Sequence, residues 1–374
     1  MDVVFYIEIG GSFGEREHAL GFARGIARAG YRPRFVVSPR VEEHIRLAGF
    51  EPEVFSVPEQ GVEIVRKIRP AMSIGCELFN LSHVSVQGLI ETGRPVGTLD
   101  GTSVSLEINT DPFQDPQLVR PLVLPDRYYA FRPCPVNDPG ADRDDAFHWP
   151  LFPDAARAEK DERHYGSLGL DPARRTVLFA VAPWAVKAAR MLRLQPYYQR
   201  VFARVVAALC AYGEPVDLLL VSRGGRGRGR KGPVEIHGSD LVPYDVYDHI
   251  LRSCDAIVTD NIIQTSVSKA VVMGTPHLVI QNLASVEMPF PCNIFPVRVL
   301  FPEEREYAQV VEVAEYGDGS DVREKLSLVL ERGYADSARR QRRQDYVARL
   351  SRLAEPGAIL EGILGPAEES APEA

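Results

Sequence analysis

Long hydrophobic runs are missing from this chain. The longest apolar stretches, LFAVAPWAV (178–186) and DLLLV (217–221), fall far short of the ~20 residues that a membrane-spanning helix needs. Paired cysteines are missing too. The five cysteines stand at 76, 134, 210, 254 and 292, an odd number at wide spacing with no CxxC. That argues against a disulfide scaffold and a zinc ribbon, and fits a reducing compartment, so the cytoplasm is the expected location. Positive charge is not in excess: 43 basic residues face 51 acidic ones for a net charge of −8. Nucleic acid is therefore not an expected partner of the body of the chain. Lysine is scarce, 6 against 37 arginines, a bias read as that of a GC-rich, bacterial coding sequence rather than of chemistry. The opening MDVVFYIEIGG has no basic run ahead of its apolar stretch, and no secretory leader is expected. No metal-ligand spacing stands out, so neither a metal nor a resident cofactor is expected.

What remains is an ordinary globular composition, 45% hydrophobic and 25% charged over 374 residues, enough for two domains. The first half alternates strand and helix patterns. VVFYIEI (3–9) leads through GGSFG (10–14) into a helical spacing at Ala19, Phe22, Ala23, Ile26 and Ala27. Gly30 closes that helix before the strand RPRFVVSP (32–39), and VEEHIRLAG (41–49) is again a helix closed by glycine. A helix at 62–68, a strand at 71–75, a helix at 81–92 and the strand PVGTL (95–99) follow. Such alternation predicts an α/β fold with parallel sheets covered on both faces. Residues 109–174 break the pattern with dense proline, and the interdomain connection is expected near 150–172. A second alternation runs from RTVLFAVA (175–182) through a helix at 195–212, VDLLLVS (216–222), a strand near 234–238, a helix at 245–253, AIVTD (256–260), a helix at 264–273 and HLVI (277–280). The expected domains are 1–155 and 175–335, joined by 156–174, with a terminal helix in 336–364 that packs back on the first domain and a tail at 365–374.

Four stretches then carry a resemblance. GGSFGEREHALGFARGIARAGYRPRFVVSP (10–39), VRKIRPAMSIGCELFNLS (65–82), SDLVPYDVYDHILRSCDAIVTDN (239–261) and TDNIIQTSVSKAVVMGTPHLVIQN (259–282) are similar, in order and spacing, to segments of UDP-glycosyltransferases and MurG-type transferases. The chain thus resembles the GT-B glycosyltransferases, which implies two tandem Rossmann-like doubly wound domains facing a cleft, with a C-terminal helix. In the first stretch Gly14 takes the glycine of a Gly-His turn, and Glu15 stands where those enzymes carry the histidine that deprotonates the acceptor. A carboxylate within hydrogen-bond reach can do that work. His18, three residues on, shares its helix face and is the second candidate. Gly11, Ser12 and Phe13 would line the acceptor site. Glu77 falls beside the aspartate that supports the histidine in the family, and Asp100 is another carboxylate at a strand end. The plain alternatives are a favourable charge at a helix N-terminus for Glu15 and turn residues for Glu77 and Asp100.

On the donor side the resemblance places Val242, Pro243 and Tyr244 against the nucleobase. Asn261 replaces the histidine of the family's His-Gly-Gly turn, Ile262 and Ile263 replace its glycines, Ser266 its threonine and Lys269 its glutamate. A helix N-terminus with the hydroxyls of Thr265 and Ser266 can still hold a diphosphate. A lysine cannot accept hydrogen bonds from ribose as a glutamate does; it would meet a phosphate or a sugar carboxylate instead. Asn282 and Asn293 are further donor candidates, as are Trp184 and Lys187 at the end of the strand that opens the second half. Trp149 is assigned to packing. SRGGRGRGRK (222–231) is read as a basic glycine loop, either solvated, a diphosphate clamp led by Arg223, or a seat for an anionic partner.

The resemblance implies a hexosyltransferase of the inverting, metal-independent kind, active in natural-product or surface-sugar biosynthesis. Its partners would be a nucleotide-diphosphate-sugar co-substrate and a small-molecule acceptor, with no integral membrane association, and a homodimer or partner protein is left open. The rival readings are a nucleotide-sugar hydrolase or epimerase of the same fold, and a non-catalytic auxiliary protein that activates a true transferase.

Overall fold

The computed structural model describes residues 1–8, 13–76, 81–99, 128–135, 146–180, 197–221, 227–239, 242–262, 264–281, 306–315 and 317–367, with the backbone alone at 13–15, 128, 197 and 198. The chain divides into two compact units: residues 1–153 with 349–374, and residues 154–348.

Unit 1 holds the strands β1 (Asp2–Ile7), β2 (Arg32–Val37), β3 (Pro52–Val54), β4 (Met72–Cys76), β5 (Val96–Leu99), β6 (Tyr128–Cys134) and β7 (Ala146–Pro150). Its helices are α1 (Phe13–Arg28), α2 (Pro39–Leu47), α3 (Pro58–Ile68) and α4 (His83–Glu91). The sheet order is β3-β2-β1-β4-β5-β6-β7, and these neighbours pair in parallel. Alternate residues of β1 serve opposite faces, as a two-residue period requires. Val3, Phe5 and Ile7 pack with Phe22, Ala23 and Ile26 of α1, whereas Val4 and Tyr6 pack with Val65 of α3 and Val86 of α4.

Unit 2 begins with the short helix α5 (Glu162–Ser167) and holds β8 (Arg175–Ala180), α6 (Tyr197–Tyr212), β9 (Val216–Val221), β10 (Gly227–Lys231), β11 (Val234–Ser239), α7 (Tyr244–Ser253), β12 (Ala256–Thr259), α8 (Thr265–Met273) and β13 (His277–Gln281). It continues with α9 (Glu306–Val310), β14 (Val313–Glu315), α10 (Gly319–Arg332) and α11 (Ser337–Leu350). Its sheet order is β10-β11-β9-β8-β12-β13-β14, with only β10 antiparallel to its neighbour. Val177 and Phe179 of β8 face α6 and α10; Leu178 and Ala180 face α7 and α8.

Three expectations are corrected. Within 109–174, read as a break in the alternation, β6 and β7 extend the first sheet; the units divide at 153/154, inside the stretch 150–172. Proline is tolerated because β7 is the outermost strand and Pro150 is its last residue. The basic loop is in part a strand, since residues 227–231 pair with β11 at the sheet edge. All five of its residues are exposed, and charge on such an edge discourages pairing with other chains. The terminal helix is two helices, α11 and α12 (Pro356–Leu364). The first ends at Leu350, and Pro356 at the start of the second holds Glu355 extended (φ −65°, ψ 151°), so the two do not run on as one. Small residues let α12 lie close on α1. A Cβ on Gly25 would stand 2.7 Å from Pro356, and one on Gly357 would stand 2.4 Å from Ala29. The Tyr31 hydroxyl donates to the Gly365 carbonyl at 2.6 Å, just past the end of α12.

Candidate active site

In an open parallel sheet, ligands bind beyond the strand C-termini, where the strand order reverses. Unit 2 reverses between β8 and β12, because β9 and β11 lie on one side of β8 and β12 lies on the other. β12 delivers Thr259, Asp260 and Asn261 to that point, and the chain turns there into α8.

The turn is held from several sides. The Thr259 hydroxyl donates to the Gln264 side-chain carbonyl, and the Asn261 N–H donates to Thr259 Oγ1 at 3.3 Å. The Tyr307 hydroxyl donates to the Ile262 carbonyl at 3.0 Å and lies 3.2 Å from Ser268 Oγ. Gln264, the residue before α8, is extended (φ −67°, ψ 131°) and gives the helix no side-chain cap. The backbone N–H groups of Thr265 and Ser266 thus find no acceptor among the described residues. Uncapped amides at a helix start attract an anion. Gly274 ends α8 in the left-handed region (φ 75°), which glycine adopts at little cost.

The other donor candidates have mixed settings. Asn261 is buried. Ser266 Oγ is 2.8 Å from the Tyr247 hydroxyl, whose ionisation burial pushes up to about 12. Lys269 is already paired with the Asp248 carboxylate of α7, which Arg252 also approaches at 3.9 Å. Its charge is balanced within the unit. Val242 is packed into the core around α7, while Tyr244 is 45% exposed and offers a ring face at the start of that helix. Trp184, Lys187, Arg223, Asn282 and Asn293 lie outside the described residues.

Unit 1 reverses between β1 and β4, and here the structure adds a residue that the sequence analysis passed over. Glu8 follows the last residue of β1. Its Oε2 accepts from the Ser82 N–H at 2.9 Å and the Ser82 hydroxyl at 3.1 Å, where Ser82 caps α4. The network continues inward: Ser82 Oγ lies 3.1 Å from Ser85 Oγ, which lies 2.9 Å from the Tyr6 hydroxyl. The Tyr6 hydroxyl also donates to the Pro58 carbonyl at 3.3 Å, so the network ties β1 to the starts of both α3 and α4. Burial pushes the Tyr6 phenol up to about 12, so it keeps its proton. The signal in the sequence was a lone carboxylate closing the run VVFYI.

His18 lies on α1, and both of its ring nitrogens are buried without a hydrogen-bond partner among the described residues. Burial holds it neutral, with its pKa pushed down to about 4, although Glu17 nearby acts the other way. A buried imidazole with two unsatisfied nitrogens costs free energy, a situation that recurs at functional sites. Phe13 and Glu15 open α1, but their side chains lie outside the described residues, as do Gly11, Ser12, Glu77 and Asp100. Trp149 is core: it meets Phe22 edge-on at 5.2 Å, in line with its assignment to packing.

Two seven-stranded, doubly wound α/β units of this kind are the fold of the GT-B glycosyltransferases. The spinosyn forosaminyltransferase SpnP is similar over 99% of this chain and 100% of its own, at 14% identity and a TM-score of 0.64. The glycosyltransferase VinC, solved in complex with dTDP, is similar over 98% of this chain and 100% of its own, at 15% identity and a TM-score of 0.61. The glycosyltransferase SnogD from Streptomyces nogalater covers 98% of this chain and 99% of its own, at 14% identity and a TM-score of 0.58. By sequence, the chain belongs to DUF6365, a family of unknown function whose model matches residues 22–294. No curated protein sequence matches it.

Proposed function

We propose that this protein is a glycosyltransferase that moves a sugar from a nucleoside-diphosphate donor on unit 2 to a hydroxyl of a small-molecule acceptor on unit 1, in natural-product biosynthesis. The observation that carries the reading is the uncapped start of α8 at the β8–β12 reversal, in a fold matched to such enzymes along nearly the whole chain. The Thr265 and Ser266 amides hold the diphosphate, aided by Asn261 and by Arg223, two residues past the end of β9. Val242 and Tyr244 meet the nucleobase, and Trp184, Asn282 and Asn293 line the sugar. Lys269 acts through Asp248, bracing α7 against α8.

On unit 1 the acceptor lies at the β1–β4 reversal, among Gly11, Ser12, Phe13 and Asp100. A carboxylate takes the acceptor proton as the hydroxyl oxygen displaces the diphosphate at the anomeric carbon. Glu15 is one candidate for that base and Glu8 the other, with Glu77 and the neutral His18 beside them. The bond to the leaving diphosphate breaks as the new glycosidic bond forms, and the amides of α8 stabilise the charge that develops on it. No metal enters this scheme.

The test is mass spectrometry of the protein with dTDP-glucose or UDP-glucose, with and without a panel of polyketide and flavonoid aglycones. A glycosylated aglycone is the expected product. Release of free sugar at the same rate without any aglycone would make the protein a hydrolase. A non-catalytic auxiliary role is the second reading, favoured by the Lys269–Asp248 pair, which fills the position of a ribose-binding glutamate. Absence of both turnover and nucleotide binding would select it.

A further inference from the structure

Among the described residues, two clusters of histidine and carboxylate lie in unit 2, and they differ in what else they contain. In the first, Asp217 and Glu235 stand near the starts of β9 and β11, and His237 lies midway along β11. Arg174 already occupies it, at 3.2 Å from Asp217 and 2.6 Å from Glu235. A guanidinium between the carboxylates supplies the positive charge, so the cluster has no need of a metal.

The second cluster joins α5 to α7. We propose that Asp161, His164 and His249 form a binding site for a divalent transition-metal ion, zinc foremost, on the helical layer of unit 2. One ligand atom from each residue lies within 4.8 Å of the other two. Asp161 is fixed as the N-cap of α5: its Oδ1 accepts from the Arg163 N–H at 2.9 Å, which leaves Oδ2 facing His164 Nδ1 at 2.6 Å. The His164 ring stacks on His249 with centroids 4.2 Å apart, and the edge of Tyr165 closes on His249 at 6.3 Å. The backbones behind both histidines are held as well. Ser167 Oγ donates to the His164 carbonyl and Ser253 Oγ donates to the His249 carbonyl, each at 2.7 Å.

Two features favour a metal over a purely structural contact. Among the described residues, His249 Nε2 is buried with no hydrogen-bond partner. The donor set of two imidazoles and one carboxylate suits zinc and its neighbours in the first transition row, and does not suit magnesium or calcium, which prefer all-oxygen shells. Zinc bonds of about 2.0–2.1 Å put neighbouring tetrahedral ligands about 3.3 Å apart. The two imidazoles are stacked at 17°, so binding requires one of them to turn out of the stack. Water completes the fourth position. Bound there, the ion ties the segment ahead of β8 to the helix that carries Tyr244 and Asp248, so it braces the donor side of the fold without joining the chemistry.

The experiment is isothermal titration and thermal unfolding of the full, tag-free chain with ZnCl2, and with MgCl2 and CaCl2 for comparison. Wild type is expected to bind one zinc ion at micromolar affinity or better. Its Tm should rise by about 3 °C or more at a hundredfold excess over Kd, with no response to magnesium or calcium. Asp161→Asn keeps the helix cap, because asparagine caps as well as aspartate, and should weaken binding tenfold or more. His164→Ala and His249→Ala should abolish it. The metal-free Tm of each variant shows whether it folds. No zinc binding by wild type, or equal binding by Asp161→Asn and His164→Ala, would overturn the site.

Discussion

A buried histidine in unit 1 and one in unit 2 differ in a telling way. His18 in unit 1 and His277 in unit 2 are both inside, and burial lowers both to a pKa of about 4. His277 opens β13, at the edge of the sheet away from the strand C-termini. Its Nδ1 lies 3.1 Å from the Thr275 carbonyl and its Nε2 accepts from the Glu312 N–H at 3.4 Å. It is a satisfied core residue. His18 rides on the helix entered from the C-terminal end of β1, and neither nitrogen has a partner among the described residues. Equal burial and an equal shift therefore go with different bonding. The unsatisfied group stands on the element that leaves the ligand-binding edge, and the satisfied one does not.

The largest effect should come from breaking that contrast directly. His277→Leu strands the Thr275 carbonyl and the Glu312 amide, and should destabilise unit 2 by about 2–4 kcal/mol. His18→Leu loses no hydrogen bond and should cost unit 1 less than about 1 kcal/mol, or raise its stability. Hydrogen exchange resolved by peptide separates the two units. Equal losses would show that His18 has a partner in solution.

The pH response sharpens the same comparison. Both histidines have depressed pKa values, so between pH 6.5 and about 4 the unfolded chain binds more protons than the folded one. Stability is then present above pH 6.5 and is lost as the pH falls toward 4, by at most about 3 kcal/mol per histidine. His18→Leu should flatten the slope in unit 1 alone and His277→Leu in unit 2 alone, as read from exchange rates at pH 4.5 and 7.

Ser82→Ala should cost about 1 kcal/mol through loss of the α4 cap. It also frees Glu8, and the kcat of transfer should fall while donor affinity holds. Glu8→Gln keeps the acceptor oxygen for Ser82 and should lower turnover about 100-fold if Glu8 is the base; unchanged turnover would return that role to Glu15. The smallest effect belongs to the exposed Arg28–Glu355 pair, 3.2 Å apart on the surface of unit 1. Glu355→Gln should change stability by no more than about 0.5 kcal/mol in urea unfolding.

The alternation of VVFYIEI, RPRFVVSP and AMSIG with amphipathic helices made unit 1 legible, because a parallel strand buried on both faces reads as a short apolar run. β6 and β7 escaped because FRPCP and FHWPLFP carry the prolines of a strand end and an outermost strand, which also mark loops. β10 escaped because Gly-Arg-Gly-Arg has no apolar face; it is a strand through its pairing with β11 and nothing local. The α8 turn was legible from TDNIIQTS, since a strand running into Thr and Ser is a helix-start pattern. Glu8 was not, because its setting depends on Ser82, 74 residues away. Nor was the engagement of Lys269, since Asp248 sits on another helix.

The central claim is that unit 2 holds a nucleoside diphosphate at the start of α8. The direct measurement is calorimetric titration of UDP, dTDP, GDP, CDP and ADP into the full chain and into Thr265→Asp. That substitution favours the helix, yet places a negative charge where the diphosphate would lie. The account predicts that one diphosphate binds wild type at millimolar Kd or tighter and that Thr265→Asp weakens it at least tenfold. No binding to the folded protein, or equal binding by the variant, would contradict it.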